Sequence, residues 1–294
     1  MYQEYGSIFA MSQMGAESIV LSDPRAYDSV LRAEGKFPIG GAEGVDTFVN
    51  YYRQNNITMG IKSTSHGPEW KEWRSQLDPD LYVAWKSYLP SIARAANQIS
   101  NVAMHEINTQ QQVTFVEFVS RAAFDMFSTV IYGQSPQTTN SAQAKPQDIE
   151  FVKSAKTAFD LTGVMLTNPL EKMFQTDTFQ KFNVNMDKVM EFGNEKALEY
   201  LRQVEEEEGS SKCPVQALKS VGSNSNSLLG RLVNNKNVPD DELGTLTGPM
   251  LMAGVDTTAY VMSWLYLNLA SNPNVQTKLA NELKTSSCID QQDP

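Results

Sequence analysis

Between the turn PDDEL at 239–243 and the stop SNP at 271–273, the chain carries a single charged residue, Asp256. Asp240 or Asp241 stands where a helix N-terminus attracts negative charge, and Pro273 stands where a helix has to end. A helix of about thirty residues measures about 45 Å, the width of a whole domain. The spacing therefore predicts a chain folded around one central helix, not a helix lying along an edge. No window reaches about 18 consecutive apolar residues, the minimum for a membrane span.

Upstream, helical periodicity dominates. YGSIFAM and ESIVLS predict two short strands turning at Gly15, and DPRAYDSVLRAEG predicts a first helix with Pro behind an Asp cap. Gly40, Gly41 and Gly44 mark an irregular connection. The 3.6-residue period starts at Pro68 in WKEWRSQL and resumes in LYVAWKSYLPSIARAANQISNVAMHEI, with Pro79 and Pro90 as boundaries or first-turn positions. VTFVEFVSRAAFDMFSTVIYG predicts another helix, closed by Gly133. QSPQTTNSAQAKPQ at 134–147 is a polar surface loop by composition, and helices follow over IEFVKSAKTAFDLTGVML and from Phe174 to Val204. Glu205 to Glu208 make a solvated helix end or loop, 205–238 an irregular linker, and Pro273 to Leu283 a last helix. The class is mainly α with a small N-terminal β-sheet region.

The formal net charge of -10 and a pI near 4.8 argue against nonspecific binding to nucleic acid or to an anionic bilayer. Cys213 and Cys288 are the only cysteines, too few for a disulfide framework. His66 and His105 sit in no metal-ligand spacing and are read as structural or surface residues. The start MYQEYGSIFAM lacks the basic residues and apolar core of a targeting peptide.

Two clusters carry chemistry. In AGVDTTAY at 253–260, Gly254 lets something approach the backbone closely, Pro249 one turn earlier deletes a ladder donor, and Thr hydroxyls compete for carbonyls three or four residues back. An acid and a hydroxyl at such an opening suit relayed proton delivery. The alternative is a helix distortion resolved by local Thr bonding, with Asp256 facing another helix or solvent. In GPEWKEWRSQL, Trp70 and Arg74 are four apart and share a helix face. Together they offer an indole N–H and a guanidinium fork to a carboxylate, or they form an ordinary amphipathic pair.

Taken in order, these stretches resemble the cytochrome P-450 family of haem-thiolate monooxygenases, most closely its mitochondrial branch. The opening YGSIF with VLSDPRAYDSVLRAEGKFP is similar to the family's first sheet and helix, GPEWKEWR to its Trp-x-x-x-Arg helix, and AGVDTTAY to its Ala/Gly-Gly-x-Asp/Glu-Thr-Thr/Ser central helix. The resemblance implies that Trp70 and Arg74 bind the propionates of haem. It further implies that Ala253 and Gly254 line the distal face and that Asp256 with Thr257 deliver protons to dioxygen during its cleavage. Thr258 would support the helix. Substrate contacts are implied for Val45 to Ile61, for Phe159 to Leu170 and for Met250.

The implied reaction inserts one oxygen atom into an apolar, sterol-like substrate, with electrons ultimately from NADPH. A ferredoxin-type donor at the mitochondrial inner membrane is implied, with a flavoprotein reductase at the endoplasmic reticulum as the alternative. The family's Glu-x-x-Arg helix and Cys loop do not follow the central helix here, and neither Cys213 nor Cys288 is read as the axial ligand. The expectation is thus a single P-450 domain over 1–294, truncated before its proximal haem-binding segment: a 1–45 start, a 68–204 body, a 205–238 linker, and helices at 239–271 and 273–284. Membrane association would then come through missing segments. A non-catalytic helical remnant or binding protein of the same descent is the competing reading.

Overall fold

A computed structural model describes residues 2–13, 16–37, 46–109, 114–168, 171, 174–210, 227–236 and 238–285. After a single helical turn, α1 (Tyr2–Tyr5), strands β1 (Ile8–Gln13) and β2 (Ala16–Leu21) pair antiparallel, with Ile8 opposite Leu21 and Gln13 opposite Ala16. Helix α2 (Pro24–Ala33) follows at once. Asp23 caps it by accepting from the Arg25 backbone N–H at 2.9 Å, which satisfies a donor the helix leaves open. No residue of α2 is buried, and Ile19 on β2 is 72% exposed.

Helices make the rest: α3 (Asp46–Gln54), α4 (Thr58–Ser63), α5 (Gly67–Thr109), α6 (Phe115–Tyr132), α7 (Pro146–Thr167), α8 (Asp177–Ser210), α9 (Leu228–Asn235), α10 (Leu243–Ser271) and α11 (Pro273–Thr285). Helix α10 enters through a 3-10 turn at Asp240–Glu242 and packs chiefly against α8 and α6, and α7 closes on α8. One apolar core joins these to α3, α4 and α9, with Phe124, Phe151, Phe182 and Met186 sealed from solvent.

Helices α8 and α10 approach each other closely through their glycines. A Cβ on Gly193 would lie 2.9 Å from the backbone N and Cα of Gly248, and one on Gly248 would lie 2.6 Å from the Val189 carbonyl. Gly244, one turn earlier on α10, would meet the backbone of Asn194. Three missing side chains therefore let the two helices touch backbone to backbone.

Three expectations need correction. Pro79 and Pro90 are not boundaries, since α5 runs through both. Each proline removes one ladder donor, and the contacts of α5 with α6, α4 and α9 keep the helix together. The linker at 205–238 is partly helical, because α8 continues to Ser210 and α9 begins at Leu228, capped by the Ser227 hydroxyl. The connection at 134–147 is polar but is not all surface. Thr138 and Thr139 are buried, and their backbone N–H groups and hydroxyls donate to the sealed Asp125 carboxylate on α6 at 2.8 to 3.1 Å. Burial raises the Asp125 pKa, and those four bonds offset part of that rise without reversing it.

Candidate functional site

Helix α10 changes character at Ala253. From Leu243 to Val255 most of its residues are buried, whereas Ala253, Thr257, Tyr260, Val261 and Trp264 are exposed. Those positions are spaced i, i+4, i+7, i+8 and i+11, one face of a helix. Tyr260 is 48%, Val261 66% and Trp264 60% exposed. The result is a small-residue opening followed by an apolar stripe.

Within the opening, Thr257 donates its hydroxyl to the Ala253 carbonyl at 2.8 Å. This is the local bonding that sequence reasoning held open as an alternative, and it fixes the hydroxyl on the exposed stripe. Gly254 points the other way. It is buried, and a Cβ there would come within 2.5 Å of the Phe127 ring on α6. Its missing side chain is used by helix packing, and Ala253 is the member of the pair that borders open space. Asp256 is half-buried on the α7 side. Burial raises its pKa, the Lys156 charge lowers it and Asp160 raises it again. Lys156 bonds both Asp160 oxygens, at 3.2 and 3.0 Å, and lies 5.7 Å from the centre of the Tyr260 ring. Thr258 lines an apolar cavity of about 260 Å³ between α5, α6 and α10, with Phe118 and Met262.

On the first turns of α5, Trp70 and Arg74 stand together, with the guanidinium carbon 6.0 Å from the centre of the Trp70 ring. Arg74 Nη2 also lies 2.8 Å from Asp78 Oδ1, one turn further on. The charge available to a ligand carboxylate thus already has a carboxylate beside it. Helix α4 packs against both α5, which carries Trp70 and Arg74, and α10, which carries the opening.

Two stretches implied for substrate contact meet in the core, where the rings of Phe48 on α3 and Phe159 on α7 are 5.9 Å apart. Met250 is partly buried against the same core. His66 and His105 are exposed. Gly15, Gly40, Gly41, Gly44, Val45, Leu170, Cys213 and Cys288 lie outside the described residues.

Asp78, Lys156, Asp160 and Phe127 escaped the sequence reading. Asp78 carried a signal, its i+4 spacing from Arg74. Lys156 and Asp160 carried the same i+4 signal as a pair on one helix, but their place beside Asp256, and that of Phe127 beside Gly254, comes from different helices, and nothing in the local spacing marks it.

The family model for cytochrome P450 matches residues 1–294. The chain is 22% identical over 290 residues to the mitochondrial cholesterol side-chain cleavage enzyme of Mesocricetus auratus, covering 96% of the chain and 53% of that protein. It is 25% identical over 265 residues to "Probable cytochrome P450 12c1, mitochondrial" of Drosophila melanogaster, covering 87% of the chain and 48% of that protein. Cytochrome P450 10 of Lymnaea stagnalis is 22% identical over 294 residues, covering 95% of the chain and 49% of that protein. The chain spans about half the length of the curated relatives it matches.

Proposed function

This chain belongs to the cytochrome P450 family, and from that premise we propose that it serves a haem-dependent monooxygenation of a small apolar, sterol-like substrate. One observation carries the reading. A helix mostly buried from Leu243 to Val255 opens at Ala253 and Thr257 and presents an apolar stripe to what would be a flat ligand. The residues present fit a porphyrin. The stripe of Tyr260, Val261 and Trp264 suits its apolar plane, and the Arg74 guanidinium, which holds the Asp78 carboxylate in this structure, has the chemistry to hold a propionate. When bound, haem supplies the site for dioxygen and accepts electrons one at a time.

In this reading Trp70 donates its indole N–H and Arg74 its fork to the propionates, fixing the orientation of the plane. Ala253 keeps the distal side open because its methyl group is small. The Thr257 hydroxyl donates to the Ala253 carbonyl, leaving the oxygen lone pairs to accept a hydrogen bond from water or from an acid nearby. Asp256 holds a proton to higher pH than an ordinary carboxyl, with Lys156 and Asp160 arranged beside it. Asp256 and Thr257 would pass protons toward dioxygen, and Gly254 would keep this turn of α10 packed on Phe127. We assign no iron ligand to this chain.

Relatives named as mitochondrial support a mitochondrial protein; a place at the inner membrane and a ferredoxin-type donor with electrons from NADPH belong to the proposal. Among the described residues no helix is long and apolar enough to cross a membrane. The test is incubation of the full-length protein, supplied with haem, ferredoxin, its reductase and NADPH, with a sterol under isotopically heavy dioxygen. One heavy oxygen atom in the product is the expected result. A protein that takes up haem yet forms no oxygenated product from any sterol would overturn the reading.

A further inference from the structure

We propose that Asp78 sets the affinity of Arg74 for an incoming carboxylate, holding the guanidinium in place and competing with a porphyrin propionate for it. The inference rests on the reading of Arg74 as a propionate-binding group. It begins with the spacing, since residues four apart meet on one helix face, and Arg74 Nη2 lies 2.8 Å from Asp78 Oδ1. The two side chains are only 29% and 30% exposed, so water and salt screen their attraction less than on an open surface. Charge holds the pair more than direction does. Oδ1 is closed off from solvent, and no donor among the described residues reaches it in hydrogen-bond geometry. Trp70 bounds the guanidinium as well, its ring centre 6.0 Å from Cζ. The cation therefore stands between an aromatic ring and a resident carboxylate.

A propionate arriving at that cation has to displace Asp78 or share the guanidinium with it. Sharing brings two negative charges together in a partly desolvated place, and displacement gives up an existing ion pair. Either way the resident carboxylate weakens the ligand's hold, and removing its charge strengthens it. The size of the effect is that of a partly exposed ion pair, about two- to fivefold in affinity.

The experiment titrates the full-length protein with iron protoporphyrin and, separately, with its dimethyl ester, following quenching of tryptophan fluorescence. Asp78→Asn is expected to tighten iron protoporphyrin binding about two- to fivefold and to leave the ester unaffected. Asp78→Glu should restore the original affinity, and the gain should vanish in an Arg74→Gln background. Asp78→Ser, which also removes the charge, carries the same comparison if Asp78→Asn does not fold. Should Arg74→Gln weaken binding while neither neutral variant tightens it, the role of Asp78 is overturned and that of Arg74 stands. Should Arg74→Gln leave the affinity unchanged, or should no porphyrin bind, the reading of Arg74 fails and takes this proposal with it.

Discussion

At the scale of single residues, Asp256 and Thr257 separate function from stability. Thr257 is exposed and, among the described residues, its hydroxyl bonds within its own helix, so Thr257→Val is expected to change unfolding free energy by less than about 0.5 kcal/mol. In the same variant, product formation should fall by about 10²-fold, the size of a lost proton-transfer group. Calorimetry beside turnover on one preparation checks both. Asp256 makes a separate prediction about pH. Burial raises its folded pKa above the ordinary 3.8, so the folded state binds that proton more readily than the unfolded chain does. Its contribution to stability is then fully present below pH 3.8 and is lost as pH rises through the raised value. Asp256→Asn should flatten the pH dependence of the denaturation midpoint in that window and nowhere else. An unchanged profile would mean that the carboxyl is solvated in the folded protein.

At the scale of elements, the contact of α8 with α10 is set by what its glycines lack. Gly193→Ala and Gly248→Ala each place a methyl group against backbone atoms, which cannot swing aside as a side chain can. Each is expected to cost about 1–3 kcal/mol, the usual range for overpacking a tight core. The double variant should cost less than the sum, because the first methyl already parts the helices. Gly254→Ala differs, since its neighbour is the Phe127 ring. Adding Phe127→Ala should recover part of the loss, whereas no side-chain deletion should rescue Gly248→Ala. Urea denaturation of the variants decides between these outcomes.

At the scale of the whole molecule, burial is uneven. The core between α3 and the first half of α10 is closed, whereas α2 and α11 bury nothing and Val261, Trp264, Leu267, Val275 and Leu279 are all at least two-fifths exposed. Contiguous apolar surface of this kind favours association in water. Residues 1–294 made alone should therefore self-associate as concentration rises in sedimentation experiments. Val261→Asp with Trp264→Glu should shift that equilibrium toward monomer without lowering the unfolding midpoint, because both side chains already face solvent.

The long central helix, the helical character of most of the chain, the shared face of Trp70 and Arg74 and the Thr bond inside AGVDTTAY were all legible in the sequence, because each follows from residues three or four apart. The spacing of Asp78 from Arg74 was legible on the same ground, though its partly buried, poorly aligned pairing was not. Only the tertiary structure decided which side of α10 is covered, that Gly254 is spent on Phe127, that Asp256 meets Lys156 and Asp160, and that Thr138 and Thr139 leave the surface to satisfy Asp125. Periodicity records how a helix divides into faces. Which neighbour covers a face depends on residues from other elements, here from thirteen to about a hundred and thirty positions away, and local spacing carries no trace of them.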